Sequence, residues 1–303
     1  MQDAIDPDLL PGERGPARPQ AVEAAQSPQK FIFAAHMAAD APLLADALQA
    51  SLSSLLRARA RGPAPGLPMF GEADLLLMHD PGVDARDYLG DVLDLPWAEI
   101  GATVTLRRMD GEIGGGDSLL PEVRNALGRI RAMQVAVDAA QRRGRHLVWI
   151  APGVIFGCDP ASELWKYSLQ MTLLAGTHAG QYSAAVLLVP PTAVNAARSL
   201  LIMTRNAMIR NKSWLAEEAA AGTPPDMGCD ALLDGCLSRE LTSKFVPHQV
   251  LRRTRFRPSA TVRQVLMADI PAGRACAGDM LGNPRPLLDE FLARAEDIDG
   301  AGH

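Results

Sequence analysis

Short, continuously apolar runs alternate with helix-length segments along most of the chain. Residues 30–36 (Lys-Phe-Ile-Phe-Ala-Ala-His) predict a first strand. A helix over about 41–59 follows, with Leu43, Leu44, Ala47, Leu48, Ser51, Leu52 and Leu55 on one face at helical spacing. The Pro/Gly-rich stretch 62–68 ends it. Residues 73–79 (Ala-Asp-Leu-Leu-Leu-Met-His) predict a second strand, closed by Asp80-Pro81-Gly82. A short helix near 84–93, a third strand over 102–106 and a long helix over roughly 119–143 come next. This β-α-β-α-β order predicts an α/β fold, with a mostly parallel Rossmann-like sheet and helices on both faces.

The stretch 146–160 is the centre of that pattern. Leu147, Val148, Trp149 and Ile150 are continuously apolar, as in a strand covered on both faces. Ala151-Pro152-Gly153 interrupts the ladder, because proline has no N–H to give and glycine weakens a strand interior. Val154, Ile155 and Phe156 resume the apolar run, and on pattern alone this reads as a core strand with a bulge. Beyond it the pattern predicts a helix at 161–167, strands at 171–175 and 183–190, and a mostly helical region over 192–220 with a break near 210–213. A helix from 230 to 239, a strand at 262–267 and a terminal amphipathic helix at 286–297 complete the prediction.

Composition narrows the class without changing the fold. The 303 residues are 48% hydrophobic and 21% charged, enough to bury a full core. Residues 1–28 carry five prolines and little apolar content, so the expected organisation is a disordered arm at 1–28 and a single domain at 29–303. The formal net charge of −5 points to no nucleic-acid partner. Cys158, Cys229, Cys236 and Cys276 form no CxxC pair, which argues against a zinc site. No apolar run approaches the roughly 20 residues that a transmembrane helix needs. The chain as written is therefore expected to be soluble, with no transmembrane segment.

Candidate chemistry gathers at strand ends. His36, His79 and Asp80 follow the first two strands, and the C-terminal edge of a parallel sheet faces the ligand crevice. The same residues also fit ordinary turn chemistry. The polar loop 109–117, with Gly114-Gly115-Gly116, lacks the GxGxxG spacing of a dinucleotide site. No P-loop, HExxH or Gly-x-Ser-x-Gly is present.

Several stretches, in order, resemble the glycosyltransferase family of fungal Golgi galactosyl- and mannosyltransferases and plant xyloglucan xylosyltransferases. They are 126–133 (Ala-Leu-Gly-Arg-Ile-Arg-Ala-Met), 148–156 (Val-Trp-Ile-Ala-Pro-Gly-Val-Ile-Phe) and 163–167 (Glu-Leu-Trp-Lys-Tyr). Residues 209–214 (Ile-Arg-Asn-Lys-Ser-Trp) and 268–276 (Ala-Asp-Ile-Pro-Ala-Gly-Arg-Ala-Cys), followed by Asn283-Pro284, continue the series. The resemblance implies a GT-A-like fold and transfer of a hexose or pentose from a sugar nucleotide to a glycan or other acceptor. It implies Golgi placement if an anchor lies outside this chain. It also implies Mn2+ or Mg2+, held by two aspartates of a DxD motif and a C-terminal histidine. Here the aspartates map onto Ala151 and Gly153, and the histidine onto Asp269 or Ala268, with Asp269 a possible ligand. Ala151 and Gly153 supply no side-chain oxygen for a hard cation. By the same resemblance His36, Asp80, Ala151, Gly153, Asp269 and Arg274 would line the sugar-nucleotide site, and Asp226 and Asp230 the acceptor side. The pattern implies either a transferase that works without the cation or a fold retained without catalysis. A non-catalytic member would bind a partner glycosyltransferase or a glycan. Outside the family, an α/β protein that binds another nucleotide at the strand edge fits the same pattern.

Overall fold

A computed structural model describes residues 30–39, 44–60, 73–110, 121–152, 154–156, 169–175, 181–210, 229–251 and 267–269. The first strand, β1 (Phe31–Met37), is buried along its whole length. Its side chains alternate between two cores. Phe31, Phe33, Ala35 and Met37 join Leu48, Leu52 and Leu55 of α1 (Leu44–Ala60). Ile32 and Ala34 join Val123, Ile130 and Val137 of the 23-residue α3 (Pro121–Arg143). A strand apolar on both sides needs helices on both faces, and these two supply them.

Between α1 and α3 come β2 (Ala73–His79), the short α2 (Ala85–Leu89) and β3 (Ala102–Arg108). Asp84 caps α2, its carboxylate accepting from the N–H groups of Arg86 and Asp87. After α3, β4 (His146–Ile150) returns beside β1. The rest of the large sheet is β6 (Thr172–Ala175), β7 (Tyr182–Val189) and β8 (Gln249–Leu251). Two further helices, α4 (Val194–Arg210) and α5 (Cys229–Lys244), pack on the α3 side. Leu200 and Leu201 of α4 and Leu233, Leu237 and Leu241 of α5 are buried in that core.

The seven-stranded sheet has the order β3-β2-β1-β4-β7-β6-β8. β3, β2, β1 and β4 are mutually parallel, as the sequence predicts. β7 is antiparallel to both its neighbours, and β8 runs parallel to β6, so β7 alone is reversed. The sheet is thus mixed α/β and mostly parallel. The chain moves outward from β1 through β2 to β3 on the α1 side, then crosses by α3 to the other flank of β1. The order therefore reverses between β1 and β4.

Two expectations need correction. Residues 154–156 are not a continuation of β4 past a bulge. Ala151 donates its N–H to the Ala185 carbonyl at 2.8 Å and ends the ladder. Val154 then turns back on the Ala151 carbonyl, 3.4 Å away. Proline at 152 cannot donate to the ladder, so the chain leaves the sheet there. β5 (Val154–Phe156) pairs instead with β9 (Met267–Asp269), antiparallel, in a separate two-stranded sheet. This pair rests on α1, whose buried Ser54 hydroxyl accepts the Phe156 N–H at 3.1 Å. The second correction is β8, which the apolar pattern did not predict.

Irregular pairing also explains a polar residue of α5. The register between β6 and β7 shifts between Leu173 and Leu174, so part of β7 lacks strand partners on that side. The Asp234 carboxylate accepts the Ala184 N–H at 2.6 Å, and Ser238 Oγ accepts the Tyr182 N–H at 2.9 Å. Ala184 has no register partner on β6, so a side chain satisfies its N–H in place of the ladder.

Candidate functional site

In open α/β sheets the ligand crevice lies outside the C-terminal strand ends, where the strand order reverses. Here that point is between β1 and β4. Ala34 pairs with Trp149. His36 and Ala151 each lie two residues further on, so they stand at one level on either side of it. β2 and β3 end on the same edge, His79 pairing with Arg108. α3 begins at this edge too, because it must run against the strands to reach the start of β4.

His36 and Asp80 are buried together at the ends of β1 and β2. His36 Nε2 lies 2.9 Å from Asp80 Oδ1, and Asp80 Oδ2 accepts the Ala39 N–H at 3.1 Å. The Asp80 N–H donates to the Met37 carbonyl, also at 3.1 Å. The turn that follows explains the placement. Val83 N–H returns to the Asp80 carbonyl at 3.2 Å, with Pro81 and Gly82 between them. Gly82 has φ +88°, which a glycine takes at little cost. His79 Nδ1 donates to the same carbonyl at 3.2 Å. Burial, the largest single influence, would raise the Asp80 pKa. The hydrogen bond and charge of His36, the Ala39 N–H and the charge of His79 together outweigh it. The carboxyl is held below its ordinary value.

The other expected residues are placed less directly. Ala151 is buried at the end of β4, and its methyl group offers no ligand atom. Asp269 is the register partner of Val154, which sets it beside the strand that follows the break. Asp230 lies in the first turn of α5. Gly153, Asp226 and Arg274 lie outside the described residues, as do the Gly114–Gly116 loop and the predicted helices at 161–167 and 286–297. The structure thus bonds His36 to Asp80 and sets Ala151 level with His36.

The described edge does not fit a divalent cation. Asp80 brings a single carboxylate, each oxygen of which already accepts one hydrogen bond, and Ala151 brings no side-chain oxygen. Among the described residues no group of three His, Cys, Asp or Glu side chains could hold a metal. Mg2+ needs about six oxygen ligands.

Sequence reasoning passed over several polar residues near this edge. Arg107 and Arg108 end β3 and are exposed. Asn125 and Arg129, on the early turns of α3, are buried at 9% and 6% exposure. The adjacent arginines closing an otherwise alternating strand were a visible signal. Asn125 and Arg129 were hidden because α3 is buried nearly all round, so its polar positions do not mark a solvent face.

No family model and no curated protein matches this sequence. Three solved structures similar to it are glycosyltransferases. Mouse xyloside xylosyltransferase 1, in its apo form, is 14% identical with a TM-score of 0.42, over 73% of this chain and 85% of that one. The apo-form glycosyltransferase GlyE of Streptococcus pneumoniae TIGR4 is 9% identical with a TM-score of 0.38, over 90% of this chain and 64% of that one. A glycosyltransferase involved in glycosylation of the major capsid of PBCV-1 is 8% identical with a TM-score of 0.37, over 90% and 99%. Among the described residues, no helix is long and apolar enough to cross a membrane.

Proposed function

We propose that this chain is a GT-A-like glycosyltransferase-family protein that binds a sugar nucleotide at the β1/β4 reversal without help from a divalent cation. The carrying observation is the position of Ala151, at the end of β4 and level with His36 on β1. There the resembled family keeps the first aspartate of its metal motif. The reaction would break the bond between the anomeric carbon and the phosphate oxygen and form one to an acceptor hydroxyl. The acceptor's proton would leave with the nucleoside diphosphate or with a base. Something must offset charge on the departing diphosphate, and arginine does so with fixed charge and a forked donor. Arg107 and Arg108 at the end of β3 are candidates, as is Arg274 by the family resemblance. On this reading the binding edge belongs to one domain spanning 29–303.

A second reading draws on the same observation: a non-catalytic family member that binds a partner glycosyltransferase or a glycan. Calorimetric titration of uridine and guanosine diphosphates, with manganese and then with chelator, separates them. Binding that survives chelation is the expected result. Loss of binding on chelation would reveal a cation site and end the metal-free reading. Stabilisation by a partner protein with no nucleotide binding would favour the second. Nucleotide binding with no preference for sugar nucleotides would instead favour an α/β protein serving another nucleotide.

A further inference from the structure

Both carboxylate oxygens and the N–H of Asp80 are engaged by its own chain. Oδ1 meets His36 Nε2 at 2.9 Å, Oδ2 accepts from Ala39, and the Asp80 N–H holds the Met37 carbonyl. Those three bonds fasten residues 36, 37 and 39, the exit of β1 into the crevice. A carboxylate only accepts, so the proton on the facing histidine nitrogen must be on Nε2. In its neutral form the imidazole then carries an acceptor at Nδ1, and among the described residues nothing is bonded to it.

From this geometry we infer that Asp80 is a positioning residue of the crevice rather than a ligand contact. It fixes His36 as the Nε2–H tautomer and sets the shape of the turn after β1, leaving His36 Nδ1 and the turn backbone as the groups a ligand would meet. The inference rests on the nucleotide-binding reading only for the identity of the ligand. The arrangement is the one by which orienting carboxylates act on histidines elsewhere: the partner fixes the tautomer and the other nitrogen does the work.

The conservative change Asp80→Asn tests it. An asparagine has one oxygen, and the Ala39 N–H, which cannot change its role, requires it. The amide nitrogen then faces His36 Nε2, so Nε2 must accept and the imidazole proton must move to Nδ1. Long-range proton–nitrogen correlation spectra of His36 read the tautomer directly. Wild-type protein should show Nδ1 unprotonated, and Asp80→Asn should show the reverse. Titration with uridine and guanosine diphosphates should then find affinity weakened roughly ten- to a hundredfold, the scale on which orienting partners act. In a His36→Leu background the same substitution should cost much less, since the imidazole it acts through is gone. An unprotonated Nε2 in wild-type protein would overturn the inference, and this holds even if the variant does not fold. So would an Asp80→Asn protein with a moved tautomer and undiminished affinity, which would make the pair packing alone. If wild-type protein binds no nucleoside diphosphate, the nucleotide reading falls with the ligand-facing half of the inference, while the spectra still decide the tautomer.

Discussion

β2 carries a carboxylate near each end, and the two are used differently. Asp74, at the N-terminal edge, receives Arg143 at 3.0 Å and also Arg145, which flank the junction of α3 and β4. Its partners are permanently charged; the Arg143 side chain is 42% exposed, whereas Arg145 and Asp74 are 18% and 15% exposed. Asp80, at the C-terminal edge, meets a titratable histidine whose side chain is 2% exposed, and a backbone N–H. The first pair ties one connection to the sheet where water can reach it. The second shapes a turn where the strand order reverses and where such sheets place ligands. One strand thus separates fastening from ligand positioning by putting them at opposite ends.

The largest expected effect comes from breaking the buried pair. Asp80→Ala leaves the His36 and Ala39 donors without an acceptor, and should lower stability by about 3 kcal/mol. Asp74→Ala should cost less, about 1–2 kcal/mol, because solvent screens the partly exposed Arg143 while Arg145 is largely buried with the carboxylate. Urea unfolding of the two variants measures both. Repeating it in 1 M salt sharpens the contrast, since screening should shrink the Asp74 effect and leave the Asp80 effect nearly intact. Equal losses at the two positions would erase the distinction between the edges.

Much of this contrast was legible in the chain, though not the contacts that produce it. Phe31–Met37, Ala73–His79 and His146–Ile150 read as buried strands because no polar face interrupts them. Polar residues at their ends could then be assigned to an edge. That His36 and Asp80 bond to each other was not legible, since 44 residues separate them and only the parallel register brings them together. The departure of Val154–Phe156 was hidden for a different reason. An apolar triplet has the same signature in the main sheet as in a second one, and only its partner β9 tells them apart. β8 is three residues long, too short for any periodicity to show.

Acid should probe the two edges at different pH. His146 begins β4 at the N-terminal edge, its ring 5.3 Å from that of Phe31, and burial lowers its pKa. The unfolded chain takes up a proton as pH falls through the ordinary histidine value, about 6.5, whereas the folded chain does not until lower pH. The unfolded state therefore binds more protons in that window, and stability falls as pH is lowered through it. Asp80 is depressed in the folded state, so its contribution is fully present above the ordinary carboxylate range, near 4. It is lost only as pH drops through the still lower folded value. Unfolding free energy measured from pH 7.5 downward should show the His146 slope first. His146→Phe should remove that slope and leave the acid-side loss in place. A slope below 6.5 that persists in His146→Phe would assign it to another group.

The smallest effect is expected from deleting residues 1–28. The described chain starts at Lys30, whose carbonyl accepts the His146 N–H at 3.0 Å, and β1 runs from there toward the crevice. The arm therefore joins the sheet at the edge of Asp74 and His146, about 20 Å of strand away from His36. Its five prolines and scarce apolar residues give it little to bury against the domain. Deletion should leave the melting temperature within about one degree, because losing no core contact removes almost no unfolding free energy. Nucleoside diphosphate affinity should be unchanged as well. The two readouts separate the possible failures. A lower melting temperature with unchanged affinity would mean that the arm packs on the fastening edge. Weaker affinity at an unchanged melting temperature would mean that it reaches the other edge, and the division of labour along β2 would then describe only part of the crevice.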